Sequence, residues 1–294
     1  MKIEIERLGD GPIIQPNMDS MMGDNVNGPS LIKVPDWIPG PLGRYYLYFA
    51  HHDGRYIRLA YADRLTGPWR THEAGVLPIA ESHFEGHIAS PDVHVDDHAR
   101  RIRMYYHGAD MATGNKSPQF TRAALSADGL QFQARDECLG GPYMRTVRHG
   151  DWHIAIAMPG IFYRSRDGMS EFETGPTLFD PDMRHAALLV RGERLLVFYT
   201  QVGDVPERIL LSEIDLTRDW SDWRPSPPRV VLEPEHDYEG ATLDLRPSVR
   251  GLAPEPVREL RDPAIFEDDD GVYLLYSVAG EDGIAIARMT LQEA

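Results

Sequence analysis

Polar and ionisable residues stand at the starts of five strand-like segments in this 294-residue sequence. The residues placed in this way are Asn27, Ser30, Asp92, Tyr143, Arg145, Arg184, His185, Arg261 and Asp262. Carboxylates and imidazoles exchange protons with bound ligands, and arginines bind carboxylates or phosphates. Because burying an unpaired polar group costs free energy, we expect these side chains to surround a funnel instead of filling an apolar core.

Histidines form a second candidate group near the same places. His51, His52 and His107 follow strand-like runs, and His87 precedes one. They suit hydrogen bonding to hydroxyl groups, although a lone histidine is also commonly a structural strand residue. A metal site is expected to need residues that are distant in the sequence to converge. We expect no required cofactor; if a metal is bound, the abundance of oxygen ligands favours a structural calcium ion over catalytic zinc.

Three classes of short apolar run recur in the same order five times along the chain. The first class comprises residues 28–32, 90–94, 141–144, 184–190 and 262–266. The second comprises residues 45–50, 102–106, 152–158, 195–200 and 272–278. The third comprises residues 57–62, 122–127, 161–166, 209–214 and 284–289. The runs are rich in β-branched and aromatic residues and are separated by turn residues, so they are predicted to be strands.

Five repeats of about four strands predict an all-β, five-bladed β-propeller, with a single domain over residues 1–294. Outer strands are expected near Trp69, Phe132, Phe172, and Trp220 with Trp223, but the fifth repeat ends after three strands. Residues 2–7 alternate between apolar and charged and are predicted to supply the missing strand, which would close the ring. A β-sandwich is the alternative. In a propeller the inner strands begin at the mouth of the axial channel, so the candidate residues should converge there.

Composition excludes several classes of partner. Lys plus Arg is 30 and Asp plus Glu is 46, which gives a net charge of −16. Such a surface repels nucleic acid and anionic membranes. The one cysteine, Cys138, excludes an internal disulfide framework. Residues 1–7 lack the apolar core of a secretory signal, so a cytoplasmic location is expected. A small molecule is therefore the expected ligand.

Residues 260–277 resemble the RDP-type blade of five-bladed propeller glycosidases, the relatives of glycoside hydrolase families 43, 32, 68 and 117. Residues 90–97 repeat this theme, and Thr66-Gly67-Pro68-Trp69 matches the usual outer-strand ending of such blades. The similarity extends over all five blades as a pattern. It indicates the superfamily without assigning one family.

This resemblance implies a glycoside hydrolase that binds a small carbohydrate in the funnel. Hydrolysis then requires a proton donor and a second group that activates water or attacks the sugar. Asp92 and Asp262 match inner-strand aspartates of the superfamily, and a relative with a histidine acid makes His185 a candidate proton donor. We expect these three residues around one pocket. An aspartate beside proline also makes turn hydrogen bonds, which is the structural alternative.

The sequence departs from family 43 at two inner strands, where an acid and a glutamate are expected. It carries Gly28-Pro29-Ser30 on the first and Tyr143-Met144-Arg145 on the third. Asp24 could reach the funnel from a loop. Glu239 and Glu85, each followed by glycine, are candidate general acids that descend over the mouth, or else solvated loop carboxylates.

The candidate carbohydrate-binding residues are Asp24, Asn27, His51, His87, His107, Arg145 and Arg261. Four arginines, Arg145, Arg184, Arg246 and Arg261, suit an anionic sugar, or they pair with Asp92, Asp262 or Asp244. Two alternatives to hydrolysis remain: a non-catalytic carbohydrate-binding propeller and a glycoside phosphorylase with an Arg- and His-lined phosphate pocket. Lectin-like propellers usually repeat their binding residues in every blade. The dissimilar strand starts here favour one asymmetric, catalytic site.

Overall fold

The computed structural model describes residues 2–52, 54–109 and 118–292, and its strands form five antiparallel sheets. Each sheet is one blade. Blade 1 contains β2 (Asn27–Lys33), β3 (Tyr45–Ala50), β4 (Tyr56–Ala62) and β5 (Arg70–Thr71), and β6 (Leu77–Pro78) also pairs with β4. Blade 2 contains β7 (Ile88–Asp96), β8 (Arg101–Ala109), β9 (Gln119–Ser126) and β10 (Gln133–Ala134).

The remaining blades follow in chain order, and the last one combines the two ends of the chain. Blade 3 contains β11 (Arg145–His149), β12 (Trp152–Ala157), β13 (Ile161–Ser165) and β14 (Glu173–Thr177). Blade 4 contains β15 (Met183–Arg191), β16 (Arg194–Gln201), β17 (Ile209–Asp215) and β18 (Arg229–Leu232). Blade 5 contains β19 (Arg261–Asp268), β20 (Gly271–Ser277), β21 (Ile284–Gln292) and β1 (Lys2–Arg7).

Helix is confined to short 3₁₀ turns in the described part of the chain. These are Ile79–Glu81, Trp220–Asp222 and Asp237–Glu239. None of the helices in residues 2–52, 54–109 and 118–292 is long and apolar enough to cross a membrane.

The core is divided among the faces between blades. Successive side chains of a strand point to opposite faces of its sheet. Thus Tyr46 and Tyr48 of β3 pack against blade 2, whereas Leu47 and Phe49 pack against blade 5. Three further buried clusters fill the other faces between neighbouring blades. This packing holds the inner strands of the blades around one axis.

The five-bladed propeller predicted from the repeats is confirmed, with two local corrections. Trp220 lies in a 3₁₀ turn capped by Asp219, and the outer strand of blade 4 is Arg229–Leu232 instead. The inner strand of blade 3 begins at Arg145, after residues 141–144.

The predicted closure by the first strand is confirmed. Strand β1 pairs with β21 from Lys2 opposite Gln292 to Arg7 opposite Ala287. At the end of this ladder, Arg7 Nε donates a hydrogen bond to Glu239 Oε1 at 2.7 Å. The Tyr276 hydroxyl donates to the same oxygen at 2.9 Å.

Glu239 is therefore part of this closure and does not lie over the funnel mouth as a loop acid. Its side chain is fully buried, and the backbone N–H groups of Glu235 and His236 donate to Oε2. Burial alone would raise the pKa of Glu239, but Arg7 and these donors hold it below its ordinary value. We call Arg7, Glu239 and Tyr276 the closure clasp.

Removing the carboxylate of the clasp should destabilise the protein. Glu239→Gln leaves the guanidinium of Arg7 without its buried partner, and breaking a buried ion pair in this way costs about 3–5 kcal/mol. Because one face of Arg7 reaches solvent, we expect the lower end of that range, measured as the free energy of unfolding in urea. The exposed Glu4→Gln serves as the control and should leave the unfolding midpoint in place. An equally stable Glu239→Gln protein would contradict the clasp.

Candidate functional site

Five residues occupy equivalent positions where the inner strands approach the axis. They share a positive φ between 48° and 59°: Gly28, Ser90, Tyr143, His185 and Asp262. In blades 1, 2, 4 and 5 the pairing of the inner strand shifts register at this point, which is a β-bulge. Bulges re-aim side chains, and a positive φ is uncommon in residues other than glycine. We call these residues the bulge ring.

The axial region contains two cavities. The upper funnel has a volume of about 420 Å³ and is lined by all of the bulge ring except Gly28. The other titratable side chains on its wall are His52, His87, His107, Arg184, Arg250 and Glu281. The lower cavity has a volume of about 750 Å³ and is lined by residues further along the inner strands. The candidate acid–base groups meet in the smaller, upper cavity.

Asp262 lies at the buried end of the upper funnel, with 2% of its surface exposed. Its Oδ1 accepts a hydrogen bond from the Tyr143 hydroxyl at 2.7 Å, and its Oδ2 accepts one from Ser277 Oγ at 3.1 Å. Burial raises the pKa of Asp262, and the nearby negative charge of Glu281 raises it further. Asp262 thus holds a proton more tightly than an ordinary aspartate does.

Three rings form a continuous wall beside Asp262. The ring of His107 lies 6.0 Å from that of Tyr143, which lies 5.0 Å from that of His185. His185 Nε2 is 3.8 Å from Asp262 Oδ1. Burial lowers the pKa of both histidines well below the ordinary value, and nearby cationic groups add to this. Both imidazoles are therefore uncharged near neutral pH and can accept or donate hydrogen bonds.

Glu281 is the second carboxylate on the described wall of the upper funnel. Asn25 and Asn27 donate to its Oε2 at 2.6 and 3.1 Å. Arg261 donates to its Oε1 at 2.9 Å, and His52 Nδ1 is 3.3 Å from that oxygen. Burial opposes ionisation, but these partners lower the pKa of Glu281 to about 2. Asp262 and Glu281 therefore have pKa values displaced in opposite directions within one pocket, which is typical of acid–base sites.

Arg184 and Arg261, which precede two residues of the bulge ring, form ion pairs with buried glutamates. Arg184 Nε donates to Glu207 at 2.8 Å, and its Nη2 also contacts that carboxylate. Arg261 donates to Glu259 at 2.6 Å, as well as to Glu281. The arginines thus pair, as the structural alternative proposed, but with glutamates instead of Asp92, Asp262 or Asp244. These glutamates were missed because they lie in irregular segments; the available signal was that a buried arginine requires a counter-charge.

The structure places Asp92 on the wall of the lower cavity, whereas His185 and Asp262 line the upper funnel. The ring position of blade 2 is Ser90, and Asp92 lies two residues, or about 7 Å, further along the strand. There it lines the lower cavity, accepts a hydrogen bond from Thr146 N at 2.8 Å and contacts His94 Nε2 at 2.8 Å. Although burial opposes this, His94 and Arg145 lower the pKa of Asp92. Its contacts join the inner strands of blades 2 and 3.

Four other candidates also lie away from the upper funnel. Asp24 is exposed and is 3.4 Å from His51 Nε2, and neither residue lines the funnel. Glu85 is exposed and borders a different surface hollow. Arg145 is buried on the lower-cavity side, where it donates to the carbonyls of Ser90 and Pro91 and stacks on Tyr143. Asn27, His87 and His107, in contrast, do line the funnel.

The metal hypothesis depends on a convergence of ligands. Within residues 2–52, 54–109 and 118–292, no three His, Cys, Asp or Glu side chains are grouped so as to hold a metal ion. The histidines on the funnel wall instead contact rings, carboxylates and one another.

One curated relative covers nearly the whole chain. The uncharacterized protein R118 of Acanthamoeba polyphaga mimivirus is 34% identical over 322 aligned residues, which cover 97% of this chain and 90% of R118. No family model matches the sequence.

Solved structures with the same fold are glycoside-processing enzymes. CoXyl43 is a GH43 β-xylosidase/α-arabinofuranosidase from a compost microbial metagenome, and its structure was solved in complex with xylotriose. It is 14% identical to this chain, and the two structures match with a TM-score of 0.61 over 97% of this chain and 96% of CoXyl43. A GH43_1 enzyme from Xanthomonas citri with xylotriose is 13% identical, with a TM-score of 0.60 over 96% and 91%. A third structure comes from GH130, a family of mannoside phosphorylases that contains glycoside hydrolases targeting β-1,2 mannosidic linkages in Candida mannan. It is 13% identical, with a TM-score of 0.67 over 96% of this chain and 93% of that chain. At these identities the comparison establishes the five-bladed fold.

The uncharged state of His107 predicts how stability depends on pH. The pKa of His107 is lower in the folded than in the unfolded protein. The unfolded state therefore binds more protons as the pH falls below about 6.5. The free energy of unfolding then decreases by up to about 1.4 kcal/mol per pH unit. His107→Gln should remove this contribution and flatten the decline between pH 6.5 and 5. Urea unfolding at several pH values measures it, with the exposed His98→Gln as control. An unchanged slope in His107→Gln would contradict the buried neutral imidazole.

Proposed function

This chain belongs to the same family as the mimivirus protein R118, and from its propeller fold and its upper funnel we propose that it is a glycosidase-like enzyme. Its substrate is a small carbohydrate, and the bond cleaved is glycosidic. The observation that carries the proposal is the pairing of Asp262 with His185 in the upper funnel, where a carboxyl group with a raised pKa lies 3.8 Å from a neutral imidazole.

Asp262 acts as the general acid in this proposal. Cleavage of a glycosidic bond requires a proton on the leaving oxygen, and a raised pKa favours the protonated form of the carboxyl group that can supply it. The proton moves from Asp262 to the glycosidic oxygen as the bond to the anomeric carbon breaks. The alcohol then leaves uncharged, and the oxygen of a water molecule bonds to the anomeric carbon while a proton of that water passes to His185.

His185 is the second acid–base group. A neutral imidazole can accept a proton from water, and Thr200 Oγ1 lies 3.4 Å from its Nδ1. Glu281 is less suited to attack the sugar, because both of its oxygens already have partners. The described funnel thus departs from the usual pair of free carboxylates.

The sugar occupies the side of the funnel formed by blades 1 and 2. The bulge ring carries the small residue Ser90 on this side of the funnel, whereas Tyr143, His185 and Asp262 face it from the other blades. A Cβ atom at Gly28 would lie 2.8 Å from the Cα of Ser90, so glycine is required at this close approach. His87 and His107 are on the same side and offer hydrogen bonds to hydroxyl groups.

The asymmetry of the bulge ring favours catalysis over simple carbohydrate binding. Five equivalent binding sites would need similar side chains at the five positions, but each blade supplies a different one. Phosphorolysis is favoured less than hydrolysis, because Arg184 and Arg261, which could bind phosphate, are occupied by glutamates. The two reactions differ in whether product formation requires phosphate.

Asp262→Asn should abolish the activity while preserving the fold. The amide keeps the shape of the carboxyl group but cannot deliver the proton, so we expect a loss of about 10²–10⁴-fold in kcat/KM. The assay is a screen of aryl glycosides and oligosaccharides, with and without phosphate. Wild-type protein that cleaves no glycoside under either condition would overturn the proposal.

Asp92→Asn is the matched control, since it makes the same substitution on an inner strand but in the lower cavity. It should lower stability through the lost contacts with Thr146 and His94 and leave most of the turnover intact. If Asp92→Asn lost activity as severely as Asp262→Asn, the assignment of the acid to the upper funnel would be wrong.

A further inference from the structure

Tyr143 crosses the axis to reach Asp262. It belongs to blade 3, yet its hydroxyl donates a 2.7 Å hydrogen bond to Oδ1 of the carboxyl group on blade 5. Only 2% of its surface is exposed. Its φ of +58° is unfavourable for a bulky side chain, so the surrounding contacts must hold it in this conformation.

Contacts on several sides fix the Tyr143 ring. The guanidinium carbon of Arg145 lies 4.4 Å from the ring centroid, and the rings of His107 and His185 lie 6.0 and 5.0 Å away. A ring packed in this way leaves the hydroxyl little freedom to move from Asp262. The hydroxyl position is therefore set by the fold instead of by the substrate.

The two oxygens of Asp262 have matching donors. Tyr143 donates to Oδ1, and Ser277 of the adjacent strand donates to Oδ2 at 3.1 Å. Hydrogen bonds to an ionised carboxylate are stronger than those to the neutral acid. Two such donors therefore stabilise the carboxylate most at the moment when the proton leaves it.

We propose that Tyr143 is a positioning residue that orients the Asp262 carboxyl group and stabilises the carboxylate formed when its proton is transferred. This inference rests on the proposed function for its catalytic part. In the step, the Asp262 O–H bond breaks, the proton bonds to the glycosidic oxygen, and the electrons of the broken C–O bond remain on that oxygen. The negative charge left on Asp262 is held by the Tyr143 and Ser277 hydroxyl groups. Tyr143 thus occupies the position on the third blade where the resemblance to family 43 implied a glutamate.

The test compares Tyr143→Phe and Ser277→Ala with Tyr106→Phe. Tyr106 is an equally buried tyrosine whose hydroxyl donates to the Ser82 carbonyl, away from the funnel. Removing the Tyr143 hydroxyl removes a donor to the ionised form, so the pKa of Asp262 should rise. The basic limb of the pH–kcat/KM profile should then move to higher pH in Tyr143→Phe and Ser277→Ala and stay in place in Tyr106→Phe.

Leaving groups provide a second readout. On substrates with poor leaving groups, kcat/KM of Tyr143→Phe should fall about ten- to a hundredfold, the range expected for one hydrogen bond to a charged group. Substrates that need no protonation should lose far less. An equal loss on both kinds of substrate, without movement of the basic limb, would indicate a merely structural role and overturn the inference.

A titration that needs no substrate separates this inference from the proposed function. Protein labelled with ¹³C at the aspartate carboxyl carbon is titrated by NMR, and Asp262→Asn identifies the Asp262 signal. The midpoint of that signal should move to higher pH in Tyr143→Phe, and an unchanged midpoint would overturn the inference. Absence of all glycoside cleavage by the wild type would instead overturn the proposed function.

Discussion

The charge of Arg261 is the constraint from which the site is built. Its guanidinium is 2% exposed and has no route to solvent that would stabilise its charge. Glu259 and Glu281 supply the compensating carboxylates, and breaking such a buried pair typically costs several kcal/mol. Because Glu281 is held in place by Arg261, it also orders Asn25 and Asn27 of the first blade. Asp262 directly follows Arg261 in the sequence. The charges of Arg261, Glu259 and Glu281 therefore determine the electrostatic environment of the candidate acid.

The bulge ring converts a nearly symmetric fold into a one-sided site. Each blade places one residue of the bulge ring in the same backbone conformation, so the five positions are equivalent in geometry but differ in chemistry. The small side chain of Ser90 on blade 2 leaves space for a ligand in the upper funnel, and the reactive ring residues stand on blades 3, 4 and 5. An enzyme and a binding protein can thus share this architecture and differ only in which residues occupy the ring.

Much of the architecture was predictable because apolar alternation and turn residues are local signals. The five repeats and the pairing of Lys2–Arg7 with the last blade followed from them. The positions of the site residues were harder to predict. Asp262 precedes its proline and Asp92 follows its own, so the two aspartates lie at different depths; aligning the repeats on the proline would have revealed this offset. Glu239 could not be placed, because its partner Arg7 is 232 residues away in sequence. Pairing between distant charges leaves no periodic pattern.

The pairing of β1 with β21 also imposes an order on biosynthesis. Residues 2–7 are translated before every other strand of the propeller, but the strand against which they pair, Ile284–Gln292, is the last of the described strands to be made. Until then the outer edge of the last blade does not exist, and the earliest strand has no partner for its backbone groups. Unpaired strands in a partly made chain are prone to associate with other chains. The ring can therefore close only after Ile284–Gln292 has been synthesised.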